Sequence, residues 1–81
     1  MNPPILLKMT VHLNRSGLGD NIRRERMAKG MSQQQLAEYA DLNIRNVQRI
    51  EAGQIDLLLT TAVRIRKALT CPLERLIPKD S

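Results

Sequence analysis

Arg45, Gln48 and Arg49 are side chains of the kinds that read DNA bases, and they follow one another at helical spacing. A guanidinium can donate two hydrogen bonds to O6 and N7 of guanine, and a glutamine amide can pair with N6 and N7 of adenine. At about 100° per residue these three side chains project from one side of a helix, while Val47 and Ile50 lie on the opposite side. The stretch therefore predicts an amphipathic helix with a polar face suited to base recognition.

A helix that recognises bases needs neighbouring structure to hold it, and the residues before it carry the signals of another helix. Ser32 and Gln35 have the spacing of a capping box, in which each side chain bonds a backbone N–H near the other. That helix ends near Ala40, because a new N-cap follows shortly at Asn43. Two helices joined by so short a connection form a helix-turn-helix.

Apolar residues at helical spacing extend over most of the remaining chain and predict an all-α domain. In the first predicted helix, Leu18 and Ile22 face inward with Met27 or Ala28, and Gly30 provides a left-handed C-terminal cap. Five helices are predicted. Four of them cover residues 18–29, 32–40, 44–52 and 58–69. The fifth is short, runs from Pro72 to Pro78 and has Leu73, Leu76 and Ile77 as its apolar side.

Residues 7–13 differ from the rest because apolar and polar side chains alternate, which is the periodicity of a strand. Residues 14–17 follow as a predicted turn or hinge. No second strand-like run follows, so the pattern predicts a strand without a partner in its own chain. An isolated strand with an apolar face is unstable in water. Two alternatives follow: a loosely ordered segment, or an antiparallel ribbon formed with a second copy.

The composition indicates one small domain with a basic balance. The 81 residues include 13 Lys and Arg against 8 Asp and Glu, and the net charge of +5 favours a polyanion partner, although basic ribosomal and protein-binding modules share it. The single cysteine, Cys71, cannot form an internal disulfide, which favours a reducing cytoplasm. No apolar run is long enough to cross a bilayer and no secretion signal is visible, so no membrane association is expected.

Together these features resemble the DNA-binding domain of the phage-repressor family, also called Cro/CI or XRE regulators. The resemblance covers residues 18–77 and implies a five-helix, lambda-repressor-like domain. An extended N-terminal arm (1–17) precedes it and a short tail (78–81) follows it. The positions that match the family pattern are Gly19, Ile22, Arg23, Arg26, Gly30, Met31, Ser32, Gln33, Leu36, Ala37, Leu42, Val47, Ile50, Glu51, Gly53 and Leu69.

The resemblance implies that the third helix enters the major groove of double-stranded DNA. Its three polar side chains then read base edges, and Ile44 contacts a thymine methyl group. Gln33 matches the family's phosphate-contacting glutamine, and Asn43 could donate to a phosphate through its amide while capping the third helix. The predicted DNA-binding residues are Gln33, Asn43, Ile44, Arg45, Gln48 and Arg49.

A structural ion pair is expected between Arg26 and Glu51. Glu51 lies in the last turn of the third helix, where the helix dipole disfavours an anion, so it calls for a cationic partner. Arg26 occupies the position that supplies this partner in the family. We predict a partly buried pair with a forked hydrogen bond, which fixes the angle of the third helix without contacting DNA.

Two departures from the family pattern bear on the turn and on the affinity for DNA. Asp41 stands where the family's turn usually has glycine, and that position tends to need a left-handed conformation, which Asp tolerates. The loop at residues 54–57 holds Gln54 and Asp56 where relatives commonly place basic residues that grip phosphates. Because phosphate contacts supply much of the affinity for DNA, a monomer is expected to bind weakly.

Weak binding by a monomer favours a homodimer, with two recognition helices about 34 Å apart on a palindromic operator. The first candidate for the dimer contact is the N-terminal arm, as the ribbon between two copies described above. The second candidate is the apolar face around Leu73, Leu76 and Ile77.

The expected function is sequence-specific regulation of transcription by a cytoplasmic dimeric repressor that occludes its operator. A phage switch, a restriction-modification controller or an antitoxin would each suit it. The alternative is a protein-interaction module of the same fold, which binds a toxin, polymerase or coactivator target and has little DNA binding of its own. No enzyme, cofactor or metal site is expected, because the only histidine, His12, has no cysteine or acidic cluster near it.

Overall fold

The structure is a computed structural model that describes residues 9–11 and 14–79. Those residues form four α-helices, one 3-10 turn and a two-stranded sheet. In chain order they are β1 (Thr10–Val11), α1 (Arg15–Ala28), α2 (Gln33–Ala40), α3 (Ile44–Glu51), β2 (Leu57–Leu58), α4 (Leu59–Leu69) and the 3-10 turn Leu73–Arg75. The domain is mostly helical, and no helix of the described part is long and apolar enough to span a membrane.

The boundaries of α2 and α3 follow the predicted capping signals. The Ser32 hydroxyl accepts a hydrogen bond from the backbone N–H of Gln35, and the Gln35 side chain accepts one from the N–H of Ser32. Asn43 caps α3, because its Oδ1 accepts a hydrogen bond from the backbone N–H of Arg45 at 2.7 Å. Between α1 and α2, Gly30 has a φ of 66°, as predicted for a left-handed cap.

The first helix begins three residues earlier than predicted, at Arg15. Residues 14–17 are not a turn or hinge but the N-cap and first turn of α1. The Asn14 side chain accepts a hydrogen bond from the N–H of Gly17 at 3.1 Å, and its carbonyl accepts one from the N–H of Leu18 at 2.9 Å. Asparagine is a preferred N-cap residue, so the capping interaction outweighs the tendency of glycine to interrupt a helix.

The prediction that a strand in the arm has no partner in its own chain is wrong. β1 pairs antiparallel with β2, with Thr10 opposite Leu58 and Val11 opposite Leu57. β2 has only two residues and leads directly into α4. A strand of two residues is too short to show an alternating pattern in the sequence. The rest of the predicted strand lies outside the described residues.

The core lies between the four helices, and α2 packs against both α3 and α4. Ala37 on α2 is buried, and its small side chain allows the two helices of the helix-turn-helix to cross closely. In α1 the prediction for Met27 and Ala28 is wrong, because both are exposed, whereas Glu25 is buried. The buried apolar residues are Leu18, Ile22, Leu36, Ala37, Ala40, Val47, Ile50, Leu57, Ala62, Ile65, Leu69, Cys71 and Leu76.

The predicted fifth helix is a single 3-10 turn. Pro72 precedes it in an extended conformation, with a ψ of 146°, and Pro78 follows closely, so the segment has no room for a longer helix. Leu76 is fully buried in the core, and its carbonyl accepts a hydrogen bond from Nδ2 of Asn21 on α1 at 3.0 Å. This segment therefore packs onto its own domain, and Leu76 is not exposed for contact with a second copy.

Candidate nucleic-acid interface

The outer face of α3 exposes the side chains that were predicted to read bases. Arg45, Gln48 and Arg49 are exposed, and their side chains make no hydrogen bond or ion pair with any other described residue. Ile44, at the start of the helix, is 37% exposed. The opposite side of α3 is buried in the core, so the polar face points outward. The two guanidinium groups are thus neither tucked inward nor covered by the described part of the chain.

The turn between α2 and α3 has the backbone conformation that was predicted. Asp41 has a φ of 57° and a ψ of 49°, in the left-handed region. Arg64 on α4 donates from Nε to the Ala40 carbonyl at 2.9 Å and from Nη2 to the Asp41 carbonyl. The guanidinium thereby satisfies carbonyl groups that the end of α2 leaves without helical partners. This role is not apparent from the sequence, because Arg64 lies 24 residues from Ala40.

Arg26 and Glu51 form the forked pair that was predicted. Nε of Arg26 donates to Oε2 of Glu51 at 2.7 Å, and Nη2 donates to Oε1 at 3.0 Å. The Arg26 side chain is 11% exposed and that of Glu51 is 3% exposed, so water screens the pair poorly. Nη1 of the same arginine donates to the Met31 carbonyl at 2.7 Å. One guanidinium therefore joins α1, the start of the α2 segment and the last turn of α3.

Gln33, the predicted phosphate contact, lies at the first position of α2 and also contacts Glu51. Its Nε2 donates to Oε1 of Glu51 at 3.1 Å, so this carboxylate accepts three hydrogen bonds, two of them from Arg26. Gln33 is partly buried. One amide hydrogen is engaged inside the protein, and the second remains available as a donor. Asn43, the other predicted phosphate contact, is exposed while its Oδ1 caps α3.

Gly19 allows α1 to approach the end of α3 closely. A Cβ atom at this position would lie 2.4 Å from the carbonyl oxygen of Ile50 and 2.7 Å from that of Glu51. Both distances are far below van der Waals contact, so any larger residue would force the two helices apart. Gly19 and the ion pair thus set the position of α3 together.

The loop after α3 is held against the beginning of α1. Gly53 has a φ of 72°, and a Cβ at this position would lie 3.0 Å from Cα of Ser16. Arg15 donates from Nη1 to the Gln54 carbonyl at 3.5 Å, and its Nε lies 3.5 Å from Oδ1 of Asp56. No local pattern in the sequence indicates this contact, because it joins residues 39 positions apart.

A second buried carboxylate, Glu25, joins α1 to the C-terminal segment. Its Oε2 accepts hydrogen bonds from Nη2 of Arg75 at 3.0 Å and from Nη2 of Arg24 at 3.1 Å. The hydrogen bond from Arg75 is the main cause that lowers the pKa of Glu25 below its ordinary value; burial acts in the opposite direction, and Arg24 also lowers the pKa. Nη2 of Arg24 donates to the Arg75 carbonyl at 2.8 Å as well. None of these three residues belongs to the predicted DNA-binding set.

Comparison with known proteins agrees with this geometry. The sequence model of the helix-turn-helix family (HTH_3) matches residues 22–76. Among solved structures, the restriction-modification controller protein C.AhdI from Aeromonas hydrophila is 31% identical, with a TM-score of 0.75, over 76% of this chain and 94% of that chain.

Two further solved structures are similar over most of their length. The hypothetical transcription factor NHTF from Neisseria is 26% identical, with a TM-score of 0.77, over 91% of this chain and 92% of that chain. The wild-type restriction-modification controller protein C.Esp1396I is 26% identical, with a TM-score of 0.73, over 82% of this chain and 90% of that chain. No curated protein sequence matches this chain.

Proposed function

Because the chain belongs to the XRE-type helix-turn-helix family, we propose that it is a sequence-specific DNA-binding transcriptional regulator that acts as a dimeric repressor. The observation that carries this proposal is the outer face of α3, where the side chains of Arg45, Gln48 and Arg49 are exposed and make no hydrogen bond or ion pair with any other described residue. The opposite face of α3 packs into the core and fixes the helix, so its exposed guanidinium groups are suited to recognise guanine in the major groove.

In this proposal each part of the interface has a separate role. Arg45 and Arg49 fork onto guanines, Gln48 pairs with adenine and Ile44 contacts a thymine methyl, each good contact discriminating by roughly 1–3 kcal/mol. Asn43 and the free amide hydrogen of Gln33 donate to phosphates. The Arg26–Glu51 pair does not touch DNA; it holds α3 at the angle that the groove requires. Occupation of the operator then excludes polymerase from the promoter.

A homodimer is the second part of the proposal, because one copy offers few phosphate contacts. β1 pairs with β2 of its own chain, so it does not offer that edge to a second copy, and residues 1–8 are the first candidate for the contact. The burial of Leu76 in its own domain argues against the alternative face. Deleting residues 1–8 leaves both β1 and the Asn14 cap in place. We expect the solution mass, measured by light scattering, to fall from dimer to monomer. An unchanged dimer would remove residues 1–8 from the interface.

Control of a restriction-modification operon is the biological setting that the comparisons favour. Two of the similar structures are named as restriction-modification controller proteins, and one of them is 31% identical over most of its length. The genes beside the coding sequence test this assignment directly. A neighbouring methyltransferase and endonuclease would support it, whereas a neighbouring toxin gene or integrase would favour the antitoxin or phage setting.

Selection from a random pool of DNA duplexes tests the function itself. A sequence-specific dimer is expected to enrich a palindrome with half-sites one helical turn apart. If no sequence is enriched even at low salt, the same fold is better assigned as a protein-interaction module. If a palindrome is enriched, in vitro transcription from a promoter that contains it measures the sign of regulation, with loss of transcript expected for a repressor.

A further inference from the structure

We propose that Arg15 is a DNA phosphate contact, which supplies from α1 the positive charge that the loop after the recognition helix lacks. Residues 54–57 contain no lysine or arginine, and Asp56 adds a negative charge. The ligand is a backbone phosphate of duplex DNA. This inference rests on the proposed function, and it adds a residue outside the predicted DNA-binding set.

Two contacts place the side chain of Arg15 against the loop at residues 54–57. Its Nη1 donates to the Gln54 carbonyl at 3.5 Å, and its Nε lies 3.5 Å from Oδ1 of Asp56. The start of α1 lies so close to this loop that a Cβ added to Gly53 would be 3.0 Å from Cα of Ser16. The guanidinium of Arg15, which is distant in sequence, therefore lies beside a loop that has no basic side chain of its own.

The loop in turn is bonded to the end of α3 that carries a predicted base reader. The backbone N–H of Gln54 donates to the carbonyl of Arg49 at 3.0 Å. A chain of two contacts, from Arg15 to Gln54 and from Gln54 to Arg49, thus joins the new residue to the recognition helix. If Arg49 reaches into the major groove, this loop faces the sugar-phosphate backbone of the DNA strand that borders the groove.

The two contacts of Arg15 keep the guanidinium beside the loop, but they are weak and leave some of its donors unused. Both distances are long, and the side chains of Arg15 and Asp56 are 51% and 44% exposed. A guanidinium has five N–H donors, so donors remain when Nε and Nη1 are engaged. An exposed ion pair of this kind is weak, and a phosphate can compete with Asp56 for the guanidinium.

The test compares Arg15→Gln with Lys67→Gln, which removes the same charge from an exposed position on α4 where the side chain makes no hydrogen bond or ion pair with any other described residue. The probes are the duplex that the wild-type protein enriches from a random pool and a scrambled duplex of equal length. For Arg15→Gln we expect the slope of log K against log salt to become shallower by about 0.9 for each phosphate that the protein no longer neutralises. Affinity should fall by the same factor for both duplexes, and Arg15→Lys should retain most of the slope.

The outcomes separate this inference from the proposed function. If the wild-type protein binds neither duplex at low salt, the proposed function fails. If it binds and Arg15→Gln gives the same slope as Lys67→Gln, only the role of Arg15 is overturned. Thermal unfolding of each variant checks that the fold is intact, and Arg15→Lys gives the slope for a retained charge if Arg15→Gln proves unstable.

Asp56→Asn sharpens the same test. If Asp56 competes with phosphate for Arg15, this change should raise DNA affinity more in the wild-type background than in the Arg15→Gln background. Equal gains in both backgrounds would mean that Asp56 acts only by repelling DNA, and would contradict the competition between Asp56 and phosphate that the geometry indicates.

Discussion

Among the residues that the structure describes, two carboxylates are buried, Glu51 and Glu25, and both are held by arginines. Glu51 is bound by Arg26, whose side chain is 11% exposed, and by Gln33. Glu25 is bound by Arg24 and Arg75, whose side chains are 53% and 58% exposed. One pair is enclosed by helices on both sides, while the other cluster has only its carboxylate covered.

Burial of the arginine partner therefore decides what each ion pair contributes to the fold. Where both members are enclosed, removing one leaves a charge that neither water nor protein can stabilise, so the pair dictates the arrangement of α1 and α3. Where the arginines are half exposed, water can replace a missing hydrogen bond, and the cluster only fastens the C-terminal segment to α1. The enclosed pair supports the recognition helix, and the open cluster supports a peripheral turn.

The largest expected effect is that of Arg26→Ala on stability. Glu51 would remain buried with only the Gln33 hydrogen bond, which is expected to cost about 3–5 kcal/mol of unfolding free energy. Urea denaturation measures this loss, with Arg24→Ala as the matched control on the same helix. A loss for Arg26→Ala no larger than that of the control would contradict the contrast between the two carboxylates.

A smaller effect, dependent on pH, is expected for Glu25→Gln. The pKa of Glu25 is lowered in the folded protein from an ordinary value of 4.5. Its ionised form therefore stabilises the fold fully above that value, and the contribution is lost as the pH falls through the lowered pKa. The difference in unfolding free energy between wild type and Glu25→Gln should be constant near neutral pH and shrink in acid. A difference that grows in acid would have the wrong sign.

A still smaller loss of stability is expected for Arg64→Met. This arginine donates to two carbonyl oxygens at the end of α2, and no buried carboxylate is left behind when it is removed. The loss should be about 1–2 kcal/mol, because two partly exposed hydrogen bonds are removed and a typical one contributes about 0.5–1.5 kcal/mol. Lys67→Met, at an exposed position on the same helix, is the control, and thermal unfolding compares the two. Equal stabilities would show that the turn does not need Arg64.

Arg49→Ala should have the smallest effect on stability, within about 0.5 kcal/mol, because the side chain is exposed and makes no hydrogen bond or ion pair with any other described residue. Its effect should appear in DNA binding as relaxed preference at one base position, by roughly 1–3 kcal/mol. Competition between matched duplexes that differ at single positions measures this preference. A uniform loss across all duplexes would instead identify Arg49 as a phosphate contact.

Much of the helix-turn-helix is predictable because its signals are local. The capping box at Ser32 and the cap at Asn43 act over two or three residues, and they place α2 and α3 where the structure has them. The exposed face of α3 follows from residue type and helical spacing, whereas the left-handed turn at Asp41 is expected from the family pattern, which usually has glycine there. The pairing of Arg26 with Glu51 can be predicted from the sequence because both residues occupy positions of the family pattern.

The burial of Glu25 is not among the predictions, although the sequence contains a signal for it. Glu25 lies three residues after Ile22 and seven after Leu18, on the same helical stripe, whereas Met27 lies off that stripe. Residue type favours a methionine over a glutamate for the core, but position on the helix decides which of them is buried. The partner that makes burial of Glu25 possible, Arg75, is 50 residues away.

Periodicity and capping act within one or two turns, so the sequence is enough to predict the presence of the four α-helices, the caps of α2 and α3 and the polar face of α3. The tertiary structure alone decided the partner of β1, the position of Arg64 on the turn and the contact of Arg15 with the loop. Each of these joins residues that are distant along the chain and depends on how the helices pack. Residue type determines which groups a side chain can bind, but the packing of the helices determines which of those groups lie close enough.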